Sequence, residues 1–207
     1  MKPKQLFNRL LADKLIASFK LRNIEGFYYE TREEAMTNIL AMIPKESVVG
    51  YGGSETLKEL NMFETLKSNG YTLLDATAAV SAEHMDDIAR RSTTADYYLM
   101  STNAISANGQ LVNVDGYGNR VASLIYGPKN VIVVAGMNKV EPNLDAAISR
   151  VKTHAAPITA LMFKDDYRSY DELLTFAQSI CGQMVVTSAS MTPGRIKVVL
   201  IGEELGF

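Results

Sequence analysis

Leu6, Phe7, Leu10, Leu11, Leu15 and Phe19 recur at helical spacing, with Lys4, Arg9, Asp13 and Lys20 between them. That spacing predicts an amphipathic helix. Thr31 and Glu34 stand at capping-box spacing ahead of Ala35, Ile39, Met42 and Ile43, which predicts a second helix ended by Pro44. From Ser47 the pattern changes, and short apolar or β-branched runs alternate with helical stretches. Val48-Val49-Gly50-Tyr51, Tyr71-Thr72-Leu73-Leu74, Tyr97-Tyr98-Leu99-Met100 and residues 131–135, 184–187 and 196–201 read as strands. Residues 110–114 read as a further strand, running into a turn at Asp115-Gly116-Tyr117-Gly118-Asn119. Helices are predicted over residues 55–67, 82–91 and 143–152, and from a Ser169/Glu172 cap to about residue 180.

Strands separated by helices in this rhythm imply an α/β fold, a mostly parallel Rossmann-like sheet with helices on both faces. The 115–119 turn and the last two strands suggest antiparallel additions. An N-terminal helical segment, residues 1–45, is expected to pack on an α/β body over residues 46–207, the whole forming one domain. The helix over 6–19 offers either a core-packing face or the dimer face of a homo-oligomer.

Composition narrows the function classes. The 207 residues are 47% hydrophobic and 21% charged, enough for a core without metals or disulfides. A net charge of -2 with no Lys/Arg cluster argues against nucleic-acid binding, which needs a concentrated positive face. The single cysteine, Cys181, precludes an internal disulfide and a site built from this chain's cysteines alone, and it is expected in the core. No apolar run approaches the ~20 residues that span a bilayer, and Met1-Lys2-Pro3-Lys4 is not followed by a signal peptide's apolar core. A cytoplasmic protein is the expectation.

The candidate chemistry lies where strands end. In Val48-Val49-Gly50-Tyr51-Gly52-Gly53-Ser54-Glu55-Thr56 an apolar run breaks into glycines and then into a helix. Gly52 and Gly53 let backbone N–H groups approach an anion, with the Ser54 and Thr56 hydroxyls beside them. The plainer reading is a tight turn whose hydroxyl caps the helix. Asn103, in a polar stretch beyond the strand at 97–100, either orients a ligand hydroxyl or bonds loop backbone. Lys139 follows the strand at 131–135 and a turn at Gly136, where an ammonium can pair with phosphate or carboxylate; the alternative is a solvated loop lysine. Arg120 is either an anion clamp or half of a surface ion pair. Glu55 suits the helix dipole at least as well as the role of a general base. His84 and His154 lack metal-ligand spacing.

Three blocks carry a family resemblance: Gly50-Tyr51-Gly52-Gly53-Ser54-Glu55-Thr56-Leu57; Asn103-Ala104-Ile105 through Asn113-Val114-Asp115-Gly116-Tyr117-Gly118-Asn119-Arg120-Val121; and Gly127-Pro128-Lys129-Asn130-Val131 through Gly136-Met137-Asn138-Lys139-Val140. With the C-terminal stretch from Gly194, they resemble the LUD domain, the lactate-utilisation proteins of the YkgG/LutC type. The resemblance implies a NagB/RpiA/CoA-transferase-like fold, whose members bind sugar phosphates, CoA thioesters or folates at strand ends. It makes Lys139 the counterpart of a substrate-holding lysine in the ribose-phosphate isomerase branch. Asn103 stands where related methylthioribose-phosphate isomerases carry a catalytic aspartate, and an amide cannot shuttle a proton as a carboxylate does. Some longer relatives carry a cysteine cluster that this chain lacks. The expectation is a protein with no cofactor of its own, working beside iron–sulfur redox subunits in oxidation of L-lactate to pyruvate. The alternative is a stand-alone enzyme acting on a sugar phosphate or acyl-CoA-type substrate. In both readings the site is a strand-end cleft for a small anionic ligand, phosphate or carboxylate.

Overall fold

A computed structural model describes residues 2–207. Among these residues ten strands form two sheets. The larger runs, in spatial order, through β1 (Glu25–Tyr29), β10 (Ile196–Ile201), β7 (Asn130–Gly136), β4 (Tyr97–Met100), β2 (Val48–Tyr51) and β3 (Thr72–Leu74), and every pairing in it is parallel. The smaller joins β8 (Val140–Glu141), β5 (Ala104–Ser106), β6 (Leu111–Asp115) and β9 (Gln183–Thr187), with β5–β6 and β6–β9 antiparallel. The helices are α1 (Pro3–Lys20), α2 (Arg32–Met42), α3 (Glu55–Glu59), α4 (Met62–Ser68), α5 (Ala82–Ser92), α6 (Asn119–Tyr126), α7 (Leu144–Arg150), α8 (Ala156–Leu161) and α9 (Tyr170–Ser179).

Alternate residues of the central strands feed two cores, because successive side chains of a strand point to opposite faces. Val131, Val133, Ala135, Val198 and Leu200 pack with Ala12, Leu15 and Phe19 of α1. Ile132, Val134, Val199 and Ile201 pack with Ala35 and Ile39 of α2 and with Leu57, Met62 and Leu66 of α3 and α4. Layers on both faces are what the unbroken apolar runs of these strands require. The α/β architecture predicted from the sequence is the one observed.

Several elements differ from expectation. The strand at 196–201 is no antiparallel addition. It lies between β1 and β7, parallel to both, with five of its six residues buried. Its partner in that expectation, β9, does pair antiparallel, with β6. Residues 1–45 are not purely helical, since β1 lies within them and forms an edge of the main sheet. The helix expected over 55–67 breaks at Asn61, which takes a left-handed φ of 52° and separates α3 from α4. Beyond the turn at 115–119 the chain enters α6, because the Asp115 carboxylate accepts the N–H groups of Tyr117, Gly118, Arg120 and Val121 at the helix start. The helix expected over 143–152 continues through a π-turn, Val151–Ala155, into α8. In α1 only the C-terminal half of the apolar stripe is buried; Leu6, Phe7 and Leu10 stay exposed.

Candidate functional site

After β2 the chain proceeds to β3 at one edge, whereas after β4 it proceeds to β7 on the other side. The strand order therefore reverses between β2 and β4, and ligands of open α/β sheets bind at the carboxyl ends of strands beside such a reversal. The loop holding Gly52 and Gly53 leaves β2 there, and Ser101, Thr102 and Asn103 leave β4 beside it. Gly53, Ser101, Thr102 and Asn103, together with Lys139 beyond the end of β7, line a cleft of about 750 Å³. Its far wall is largely apolar and comes from α8 and α9 with the residues that follow each: Met162, Phe163, Phe176, Ile180 and Cys181, with Thr159 and Ser179 between them.

Lys139 is 3% exposed. Its Nζ donates to Thr56 Oγ1 at 2.9 Å and to Ser101 Oγ at 3.1 Å. Ser101 Oγ in turn donates to Thr56 Oγ1 at 3.2 Å, and Thr56 Oγ1 donates to the Leu205 carbonyl at 3.3 Å. These hydroxyls are neutral, and no ion pair found among the described residues includes Lys139. Burial, reinforced by the positive charges of Arg150 and Arg120, pushes its pKa down to about 7; Glu59 acts weakly in the opposite sense. The C-terminal segment passes directly over this cluster. A Cβ on Gly206 would lie 2.6 Å from Thr56 Oγ1 and 3.3 Å from Lys139 Nζ.

Gly52 and Gly53 do different things. A Cβ on Gly52 would stand 2.7 Å from Arg120 Cδ and 2.9 Å from Tyr98 Oη, so this glycine makes room for the arginine stem. A Cβ on Gly53 would meet nothing within 4 Å, and Gly53 faces the cleft. No packing inside the protein calls for glycine at 53. Ser54 caps α3, its Oγ accepting the Leu57 N–H at 3.3 Å. Glu55 pairs with Lys58 at 2.6 Å on the cleft rim.

Arg120 is held inside the protein. Nη1 donates to the Ser101 carbonyl at 3.3 Å and Asn113 Oδ1 at 3.1 Å. Nη2 donates to Asn103 Oδ1 at 3.1 Å and to the Val114 carbonyl. Four of the five guanidinium N–H groups thus have protein acceptors, and the bidentate fork is not free for an anion. The arginine instead ties β6 to the loop after β4, at the cost of a buried Asn113 Nδ2 with no hydrogen-bond partner. Asn103 Oδ1 also accepts the Val114 N–H at 3.0 Å, so its oxygen bonds the β6 backbone rather than the loop, while the residue lines the cleft.

The structure thus gathers Gly53, Ser54, Asn103, Arg120 and Lys139 along one cleft. It sets Thr56 beneath Lys139, and Gly52 beneath Arg120. Three contributors were not among the predicted site residues. Ser101 is the second hydroxyl under Lys139. Arg150, 8% exposed, donates from Nη1 to the Asn103 carbonyl at 2.7 Å and lowers the pKa of Lys139. The α8–α9 wall is the third. Only Ser101 had a local signal, its place one residue beyond a strand. Cys181 lies just past α9, half-buried on that wall, with its thiol pKa pushed up by burial. His154 lines a separate, more open cavity of about 840 Å³ with Glu59, Glu141 and Glu204. Among the described residues no three His, Cys, Asp or Glu side chains are grouped as ligands of a metal ion.

This architecture is shared with a solved structure. A DUF162 family protein from Deinococcus radiodurans superposes with a TM-score of 0.51 at 11% identity, over 95% of this chain and 98% of that one. At that identity the likeness concerns the fold alone. No curated protein sequence matches the chain. Residues 12–201 match the family model of the LUD domain, and the chain belongs to that family.

Proposed function

We propose that this LUD-domain protein binds an organic anion, a carboxylate or a phosphate, in the β2/β4 cleft, and serves oxidation of L-lactate to pyruvate as an accessory subunit beside iron–sulfur redox partners. One observation carries the binding reading: Lys139 is a buried amine that donates to two hydroxyls and, among the described residues, forms no ion pair with a carboxylate. A buried ammonium without a counter-ion is costly, and an anion entering the cleft offsets that cost. Gly53, with open space where its Cβ would be, allows the anion close to the backbone at the start of α3. The lactate reading rests on family membership together with a chain whose one cysteine supplies no cluster site by itself.

A stand-alone enzyme is the second reading. It is favoured by the same lysine, because an amine with a pKa near 7 suits proton transfer at neutral pH. The Asn103 oxygen, tied to Val114 and Arg120, supplies no paired acid.

Calorimetric titration with L-lactate, pyruvate, inorganic phosphate and ribose 5-phosphate, on the protein and on Lys139→Met, tests the binding. Saturable binding weakened at least tenfold in the variant is expected. Equal affinity in both proteins would remove Lys139 from the site. For the pathway, lactate-dependent dye reduction should require co-purified iron–sulfur proteins. Turnover of any of these compounds by the isolated chain would favour the second reading.

A further inference from the structure

The cleft is built in two halves of opposite character. Its floor is polar: Ser54, Ser101, Thr102, Asn103 and Lys139 stand at the ends of strands. Its opposite wall is the α8–α9 pair, whose seam is closed by the small residues Ala156, Ala160 and Ala177. That close seam leaves larger side chains to face outward. Met162 and Phe163 are 53% and 70% exposed, and Phe176 and Ile180 are half-buried beside them. Apolar side chains that line a concave site without being covered are unusual away from binding surfaces.

Size points the same way. Clefts of about 300–1,000 Å³ enclose drug-sized molecules, and this one measures about 750 Å³. A three-carbon acid such as lactate, seated on Lys139, would leave the α8–α9 wall in water. A molecule that fills the space has one charged end and a larger apolar part.

We infer that the ligand of this cleft is an amphipathic organic anion, an acyl or aryl carboxylate or phosphate, with its charged group on Lys139 beside Gly53 and its apolar body against Met162, Phe163, Phe176 and Ile180. This deepens the anion-binding reading and rests on it. The charge fixes the orientation, since the floor offers an ammonium whereas the wall offers no charged side chain, and its Thr159 and Ser179 hydroxyls donate to their own helices. The apolar body supplies most of the affinity by removing carbon surface from water on both ligand and wall. Lactate is then not the molecule that fills the site.

The test is a calorimetric series of straight-chain carboxylates from acetate to octanoate, and of alkyl phosphates of the same lengths, all below their micelle concentrations. The two head groups distinguish a carboxylate ligand from a phosphate one. Affinity should rise roughly four-fold per methylene until the wall is covered, the factor that corresponds to about 0.8 kcal/mol per buried CH₂. Lys139→Met should lower the whole series by a similar factor. Phe176→Ser should flatten the dependence on length without weakening acetate or methyl phosphate. If that variant fails to fold, the more exposed Phe163→Ser gives the same reading. Short anions that bind with no gain from added methylenes would overturn this inference and leave the anion site standing. A length dependence untouched by Lys139→Met would also overturn it, because it would mark adsorption to an exposed patch. No binding by any member would overturn both.

Discussion

Lys139 and Thr56 are 83 residues apart in the sequence, and the lysine Nζ donates to the threonine Oγ1 at 2.9 Å inside the protein. One follows β7 and the other begins α3 after β2, so the contact spans the intervening β4 at the carboxyl end of the sheet. Ser101, from the end of β4, completes the cluster. Three separate strand ends therefore set the position of one ammonium.

That ammonium destabilises the fold while it is charged. Its folded pKa is about 7, below the ordinary value of 10.5 for a free lysine. Between those values the unfolded chain binds more protons than the folded one, so stability rises with pH across that window. The full penalty is present below pH 7. Lys139→Met should be more stable than the parent at pH 6 by about 1–3 kcal/mol. The difference should shrink as pH climbs toward 10. Urea unfolding at pH 6, 8 and 10 checks this, and a gap that widens with pH would contradict it.

Anion binding should carry the opposite linkage. An anion favours the charged amine and raises its pKa, so binding takes up a proton near and above pH 7. Affinity should fall as pH rises through about 7, approaching tenfold per unit once the free lysine is neutral. Titrations in two buffers of different ionisation enthalpy at pH 8 would register the proton uptake. Identical heats in both would mean the lysine does not change its protonation.

The two glycines of the β2 loop should separate stability from binding. Gly52→Ala drives a methyl into the Arg120 stem and Tyr98, at a cost of about 1–3 kcal/mol. Gly53→Ala meets no neighbour and should leave stability within about 0.5 kcal/mol of the parent. The alanine methyl at 53 would stand where the ligand approaches, so anion affinity should drop in that variant. Thermal unfolding and calorimetry on the pair give both numbers.

Arg120→Lys should not behave as a conservative change. The guanidinium serves four acceptors on the loop after β4 and on β6, an arrangement that one ammonium cannot reproduce. A loss of about 2–4 kcal/mol is expected in urea unfolding, from acceptors left buried without donors. Retention of parental stability would show that water replaces the guanidinium there.

The sequence by itself determined the α/β class. Runs such as residues 131–135, apolar at every position, fit a strand covered on both faces, and the caps at Thr31 and Ser169 announced α2 and α9. It also placed Gly53, Asn103 and Lys139 at strand ends, because strand termini are local features of the pattern. It did not reveal that β10 sits mid-sheet. Strand order depends on pairings between distant segments, and a buried central strand and an antiparallel addition can share the same apolar run. Only the tertiary structure decided which side chains serve the cleft. Burial, measured against α3, β4 and the C-terminal segment, makes Lys139 a low-pKa amine rather than a solvated loop lysine. The same assembly turns Arg120 inward to acceptors between six and 19 residues away in sequence and brings α8 and α9 across from them as a largely apolar wall. A local pattern reports what a residue is; its charge state and its partners come from neighbours that the chain brings together only on folding.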